Sequence, residues 1–84
     1  INNMNKCLIA TQIEAYCFAI NKSTGFYDLV CVYTDKDFAK EDLLRWQQVY
    51  NTCCVDGDDP LTCVLLYDFP SPDDIHYLID NDLI

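Results

Sequence analysis

Residues 11–34 have the sequence TQIEAYCFAINKSTGFYDLVCVYT, and this stretch decides the fold of the chain. Two segments rich in Tyr, Phe, Val and Ile flank the polar segment Asn-Lys-Ser-Thr-Gly at 21–25. Gly25 can adopt the left-handed backbone conformation that closes a short loop. Strand-forming residues on both sides of such a loop predict a β-hairpin.

The length of the loop sets the register of this hairpin. A three-residue loop at 23–25 pairs Lys22 with Phe26 and places Cys17 opposite Cys31, which makes these two cysteines the candidate disulfide. A four-residue loop would shift the pairing by one residue. The sequence leaves both loops open.

Both faces of the predicted hairpin are apolar. With the three-residue loop, one face carries Ala15, Cys17, Ala19, Leu29, Cys31 and Tyr33, and the other carries Tyr16, Phe18, Ile20, Val30 and Val32. Such a hairpin needs cover on both sides, either from a helix on each face or from a second copy of the chain. A homo-oligomer is therefore one of the predicted states.

A helix and a third strand are predicted after the hairpin. Residues 38–53 carry apolar residues at alternating four- and three-residue spacing, with Asp37 as the expected N-cap. The members of this apolar stripe are Ala39, Leu43, Trp46, Tyr50 and Cys53. Residues 61–69 are the predicted third strand, and its nearly continuous apolar run at 63–67 is suited to the middle of a sheet.

A second helix is predicted from the segment Ser-Pro-Asp-Asp at 71–74. Serine can cap the first turn, proline is tolerated there, and acids favour the positive end of the helix dipole. Residues 6–10 are either a further strand or the beginning of the first one. The order is about β-β-α-β-α, which predicts one α+β domain over residues 1–84, with a mainly antiparallel sheet packed with two helices.

Acidic residues are concentrated in the last third of the chain. Residues 1–55 carry six acids and five bases, whereas residues 56–84 carry eight aspartates and no Lys or Arg, so the formal charge of −9 divides into −1 and −8. A field of one sign steers and selects what approaches the protein. Because it would repel a phosphate backbone, direct nucleic-acid binding is not expected.

Seven aspartates and one tyrosine are the predicted partner-binding residues. They are Asp56, Asp58, Asp59, Asp73, Asp74, Asp80 and Asp82, with Tyr77 as an aromatic anchor. A turn at 56–60 accounts for part of the first group, and the helix dipole accounts for Asp73 and Asp74. Asp80 and Asp82 lie near the predicted helix end that disfavours acid, so local structure does not explain them.

No metal, cofactor or catalytic centre is predicted. The segment Asp-Gly-Asp-Asp-Pro at 56–60 lacks the spacing of a calcium loop, and the adjacent Cys53 and Cys54 lack the two-residue gap of a zinc knuckle. The only histidine, His76, falls within a predicted helix, and two glycines cannot form a glycine-rich phosphate loop. We therefore expect that the protein is not an enzyme.

These observations favour a non-enzymatic inhibitor or adaptor that binds a basic, nucleic-acid-handling protein by presenting carboxylates in place of phosphates. Viruses and mobile elements use small proteins of this type, which predicts a cytoplasmic location, in the host cell if the protein is viral. No apolar stretch is long enough to span a membrane and no leader is visible, so a soluble chain is expected.

The alternative hypothesis is a secreted, disulfide-stabilised effector or toxin-like protein. Six cysteines in 84 residues and the glycosylation acceptor Asn-Lys-Ser at 21–23 support it. Four of the cysteines lie within apolar runs, where a reduced cysteine would also fit as a small buried hydrophobic residue.

Overall fold

The computed structural model describes residues 12–53 and 59–84 and has the predicted order β-β-α-β-α. The elements are β1 (Ala15–Ile20), β2 (Tyr27–Tyr33), α1 (Lys36–Cys53), β3 (Thr62–Leu66) and α2 (Pro72–Asp80). The strands form one antiparallel sheet in the order β2-β1-β3. The predicted α+β fold is confirmed, while the strand predicted at residues 6–10 lies outside the described residues.

The loop of the hairpin has four residues and not three. The N–H of Asn21 donates to the carbonyl oxygen of Phe26 at 2.8 Å, so residues 22–25 form the loop. The side-chain oxygen of Asn21 accepts hydrogen bonds from two backbone N–H groups of the loop, at 2.9 and 3.2 Å. Gly25 has a φ of 82°, a left-handed conformation that glycine adopts without steric strain.

A β-bulge restores the register that the longer loop displaces. Phe18 lies opposite Leu29 whereas Cys17 lies opposite Cys31, so β2 contains one extra residue, Val30. Leu29 therefore shares the face of Phe18, and Val30 packs with Cys17. The predicted faces of Leu29 and Val30 were wrong. Because both faces of the hairpin are apolar, the sequence pattern does not reveal a one-residue shift in strand register.

Helix α1 covers one face of the sheet, which we call the α1 face. Its core consists of Ala15, Cys17, Ala19, Tyr33, Ala39 and Cys63. Leu43, Trp46 and Tyr50 of α1 pack against this core, as the apolar stripe predicted. Cys53, the last residue of the helix, is exposed, so the buried stripe ends at Tyr50.

The N-cap of α1 is Asp35, and the predicted cap at Asp37 was wrong. The Oδ1 atom of Asp35 accepts hydrogen bonds from the N–H groups of Asp37 and Phe38 at 2.8 and 3.2 Å. A carboxylate oxygen of Glu14 accepts the N–H of Lys36 at 2.9 Å. The helix thus begins two residues earlier than predicted, and Asp37 lies in its first turn, where acid is also favourable.

Helix α2 covers the opposite face, which we call the α2 face. Its Ile75 is fully buried in a cluster with Phe18, Ile20 and Val64. A Cβ atom placed on Gly25 would lie 2.6 Å from the imidazole of the helical His76, so α2 contacts the hairpin loop. Each face of the sheet therefore has its own helix, and the apolar pattern does not require a second copy of the chain.

Both ends of α2 are capped. The Oγ atom of Ser71 accepts the N–H of Asp74 at 3.2 Å, and the carboxylate of Asp74 accepts the N–H of Ser71 at 2.9 Å, which together form a capping box. At the other end, Asp82 has a φ of 55°. The N–H groups of Asp82 and Leu83 donate back to the last turn at 3.1 and 2.9 Å, which is a Schellman motif with Asp where Gly is usual.

The central strand is β1. Within the described ranges, β1 pairs with both β2 and β3, whereas β3 pairs only with β1. The expectation that the third strand lies in the middle of the sheet was therefore wrong for this part of the chain. Both strands are apolar on both faces, and composition alone cannot order them. Gln47 of α1 covers part of the outer edge of β3, since it accepts the N–H of Cys63 at 2.7 Å and donates to the carbonyl of Leu61 at 3.0 Å.

Candidate interaction surface

The outward side of α2 carries an exposed aromatic ring between two carboxylates. Because Ile75 faces the sheet, residues on the opposite side of the helix point away from the core. Asp73, Tyr77 and Asp80 are spaced by four and three residues and therefore share that outward side. Tyr77 is 62% exposed, and both aspartates are exposed.

A groove lies beside this surface, between α2 and the segment that follows β3. We call it the aromatic groove, and its volume is about 320 Å³. It is lined by Leu66, Tyr67, Asp68, Phe69, Pro70, Asp74, Tyr77 and Leu78. Tyr67, Phe69 and Tyr77 remain more than half exposed, and among the described residues the charged lining groups are the carboxylates of Asp68 and Asp74.

Four of the predicted partner-binding residues lie together on α2, namely Asp73, Asp74, Tyr77 and Asp80. Asp82 lies in the C-terminal cap of the same helix. Asp59 lies before β3, where its carboxylate accepts a hydrogen bond from the side chain of Asn21 at 3.3 Å. Asp56 and Asp58 lie outside the described residues.

Local sequence does not explain the positions of Asp80 and Asp82, and the structure gives a reason for only one of them. Asp82 occupies the left-handed position of the helix cap, and Asp is one of the few residues other than Gly that adopt it readily. Asp80 forms no hydrogen bond or ion pair with any side chain in the described part of the chain, and it lies in the last turn, where the dipole disfavours acid. Helix stability therefore explains Asp82 but not Asp80.

Sequence reasoning missed the residues that form the wall of the groove. The sequence predicts Tyr67, Asp68 and Phe69 at the end of a longer third strand, but β3 ends at Leu66. The available signal was the stretch Tyr-Asp-Phe-Pro at 67–70, in which a proline and an acid directly follow an apolar run. Such a break ends a strand and exposes the aromatic rings beside it.

Two charged groups of α1, Asp42 and Arg45, pair with each other within the protein. The Tyr33 hydroxyl donates to the carboxylate of Asp42, and the indole N–H of Trp46 donates to the Tyr33 oxygen at 3.1 Å. Arg45 donates two hydrogen bonds to Asp42, at 2.7 and 3.1 Å, and its guanidinium lies 4.5 Å from the centre of the Trp46 ring. This network of four side chains joins α1 to β2.

The network shifts the pKa values of its members. Hydrogen bonds from Arg45 first, and then from Tyr33, lower the pKa of Asp42 to about 2. Burial first, and then the hydrogen bond to Asp42, raise the pKa of Tyr33 far above its ordinary value. Asp42 is therefore held ionised and Tyr33 protonated at neutral pH.

Thiols cluster in the core of the α1 face. In this structure the sulfurs of Cys17, Cys31 and Cys63 are not joined in a disulfide, nor is that of the exposed Cys53. Burial, and next the neighbouring Cys63, raise the pKa of Cys17 to about 12, and burial also raises the pKa of Cys63. Thiols in this state are poor nucleophiles at neutral pH. The disulfide between Cys17 and Cys31, like the secreted alternative, stays a prediction.

Comparison of the chain with protein-family models, curated proteins and solved structures found no match. Across residues 12–53 and 59–84, no three His, Cys, Asp or Glu side chains are grouped so that they could hold a metal ion. Neither helix there is long and apolar enough to cross a membrane. What the protein binds is therefore inferred from the chemistry of the surface around α2.

Proposed function

We propose that the chain is a non-enzymatic acidic interaction protein that binds a basic protein through the outward side of α2. The proposed partner is a nucleic-acid-handling protein, and the proposed role is that of an inhibitor or adaptor of the type used by viruses and mobile elements. Carboxylates on a rigid helix would occupy the basic groove that otherwise receives phosphates.

One observation carries this proposal, which is the position of Tyr77 between Asp73 and Asp80 on the exposed side of α2. Exposed tyrosines are frequent anchors of protein interfaces, because the ring buries a large apolar area and the hydroxyl still finds a polar partner. Asp80 opposes the helix dipole at a cost of roughly 0.3 to 1 kcal/mol. A partner that contacts this carboxylate would explain its placement.

The positions of the basic groups support the same surface. Arg45 is paired with Asp42, and Lys22 donates to a backbone oxygen of Ile84 at 3.0 Å. Lys36 and Lys40 belong to α1. Helix α2 itself carries no Lys or Arg, and its histidine, His76, lies beside Gly25 of the hairpin loop, so the outward side around Tyr77 carries carboxylates as its charged groups.

The experiment compares capture of basic proteins by three forms of the chain at increasing salt concentration. The test variant combines Asp73→Asn and Asp80→Asn, and the matched control combines Asp37→Asn and Glu41→Gln, which remove the same charge from α1. We expect the test variant to bind at least about tenfold more weakly than the other two forms, because each lost charge-assisted contact weakens binding by about this factor.

The inhibitory role is measured on the proteins that the wild type captures. Each is purified and mixed with its nucleic acid, and the chain is expected to displace that nucleic acid in proportion to its occupancy. Equal loss of capture by the two double variants would show that only total charge matters, and capture of proteins that are not basic would remove the proposal.

A further inference from the structure

The aromatic groove has the lining of a site for a planar cation. It combines three aromatic side chains with two carboxylates, and none of the lining residues within 12–53 and 59–84 is basic. A guanidinium group stacks on aromatic rings and donates paired hydrogen bonds to a carboxylate, whereas an ammonium is a compact charge that remains strongly hydrated. We propose that the groove binds an arginine side chain of the basic partner and prefers it to lysine.

The two carboxylates are free to receive such a group. Asp74 uses Oδ2 to accept the N–H of Ser71 at 2.9 Å, which holds the side chain in place, and its Oδ1 accepts no hydrogen bond from residues 12–53 and 59–84. Asp68 is exposed and forms no hydrogen bond or ion pair with the other described residues. A carboxylate that is already fixed loses less conformational freedom when a ligand binds.

The aromatic wall is also preformed on one side. The Phe69 ring packs edge-on against Tyr16 and Phe18, each with ring centres 5.4 Å apart, while 59% of the residue stays exposed. Tyr67 and Tyr77 are 52% and 62% exposed. Pro70 is buried and Leu78 half-buried, and both give the groove an apolar lining.

The volume and the charge of the groove restrict its occupant. A cavity of about 320 Å³ is at the lower end of the range of small-ligand sites, which suits one side chain better than a nucleotide or an organic cofactor. An anionic ligand would face Asp68 and Asp74 at close range. The complementary ligand is therefore a cation with a flat apolar face.

A second cavity offers a matched control. It is lined by Glu14, Lys36, Lys40 and Tyr67, of which Tyr67 also lines the aromatic groove. Because both lysines lie on α1 and neither lines the groove, their removal should leave arginine binding unchanged apart from a small general gain from the lower positive charge.

The test uses two peptides of equal charge, acetyl-Gly-Arg-Gly-Arg-Gly-amide and the same peptide with lysine in place of arginine. Both are titrated into the whole chain and followed by NMR chemical shifts. We expect the arginine peptide to bind about three- to tenfold more tightly, with shifts at residues 67–70 and 77–78. Tyr77→Leu should remove most of this preference, and Asp68→Asn should weaken both peptides.

The control combines Lys36→Gln with Lys40→Gln and should keep the preference. Tyr77 is exposed, so its substitution should leave the fold intact, and Tyr67→Leu provides a second variant on the opposite wall. Equal affinity for the two peptides, or a preference that survives both tyrosine variants, overturns the arginine site.

This inference rests on the proposed function for the basic character of the partner, but the two can fail separately. If basic proteins are captured through Asp73 and Asp80 while the peptides bind equally, the proposed function stands and the arginine site falls. If the arginine preference holds and no basic protein is captured, the site stands and the proposed partner class falls.

Discussion

The two faces of the sheet differ in how they use charged groups. On the α1 face, Asp42 accepts hydrogen bonds from Tyr33 and Arg45, and the chain satisfies its own carboxylate. On the α2 face the core is aliphatic and aromatic, and the outward carboxylates of Asp73 and Asp80 lie on a helix without Lys or Arg. The two faces therefore differ in the share of their acids that already have a partner within the protein, and the proposed interaction surface rests on the acids that have none among the described residues.

The same contrast appears within helix α2. Asp74 belongs to the capping box and Asp82 to the C-terminal cap, so both have a structural role. Asp80 has none in the described structure and is exposed. Carboxylates with a local role stabilise the helix that presents the others.

The largest expected effect comes from Ile75→Ala, which would separate α2 from the sheet. Ile75 is fully buried and is the one residue of α2 with no exposure, so we expect its truncation to lower the free energy of unfolding by about 2 to 5 kcal/mol. Urea denaturation measures this change. Tyr77→Ala on the outward side is the control and should change stability by less than about 0.5 kcal/mol.

A loss below about 1 kcal/mol for Ile75→Ala would mean that burial does not hold α2 on the sheet. The assignment of a buried inner side and an exposed outer side to α2 would then be wrong.

The next largest effect is expected from a substitution in the hydrogen-bond network that joins α1 to β2. Tyr33→Phe removes the hydroxyl that joins Asp42 to Trp46, and we expect the free energy of unfolding to fall by about 1 to 3 kcal/mol, because the remaining groups are only partly open to water. Tyr50→Phe is the matched control, since the Tyr50 hydroxyl forms no hydrogen bond in the described structure. Equal effects of the two substitutions would show that the network adds no stability.

A smaller effect is expected from Ser71→Ala, which removes the N-cap of α2. The change should lower the free energy of unfolding by about 1 kcal/mol, because the N–H of Asp74 loses its partner. Amide hydrogen exchange should speed up in α2 more than in α1, and Ser23→Ala in the hairpin loop is the control. Uniform acceleration across the chain would contradict a local capping role.

Asp82→Gly should raise stability slightly. Glycine adopts a φ of 55° without strain, so the gain is expected to be less than about 1 kcal/mol, partly offset by the greater freedom of glycine in the unfolded chain. Thermal unfolding measures the gain, and Asp82→Ala should destabilise the protein. A loss on substitution by glycine would show that the carboxylate, and not the backbone, has the main role at this position.

The last expected effect concerns pH and is measured as a difference between wild type and one variant. The pKa of Asp42 is lowered from 3.8 to about 2 in the folded protein, so its contribution to stability is complete above about pH 4 and is lost as the pH falls through about 2. Thermal unfolding from pH 5 to pH 2 should therefore show a weaker pH dependence for Asp42→Asn than for wild type. Parallel curves would mean that Asp42 has the same pKa in both states.

The elements themselves were predictable because their signals are local. Ser71 and the proline and acids after it define the start of α2 within one turn of helix. The spacing of Ala39, Leu43 and Trp46 identifies the buried side of α1 without knowledge of the sheet. Part of the site followed from the same reasoning, since Tyr77 and the acids of α2 lie three or four residues apart on one helix.

By itself, the sequence of this protein determined the order of its elements, the apolar character of both hairpin faces and the acidic outer side of α2. Only the tertiary structure decided the bulge at Val30, the central position of β1, and the groove that places Asp68 beside Asp74 and Tyr77. Local patterns follow from the geometry of a single helix or strand. A groove between elements depends instead on how segments that are distant in the sequence pack together, and local residue spacing does not specify that packing.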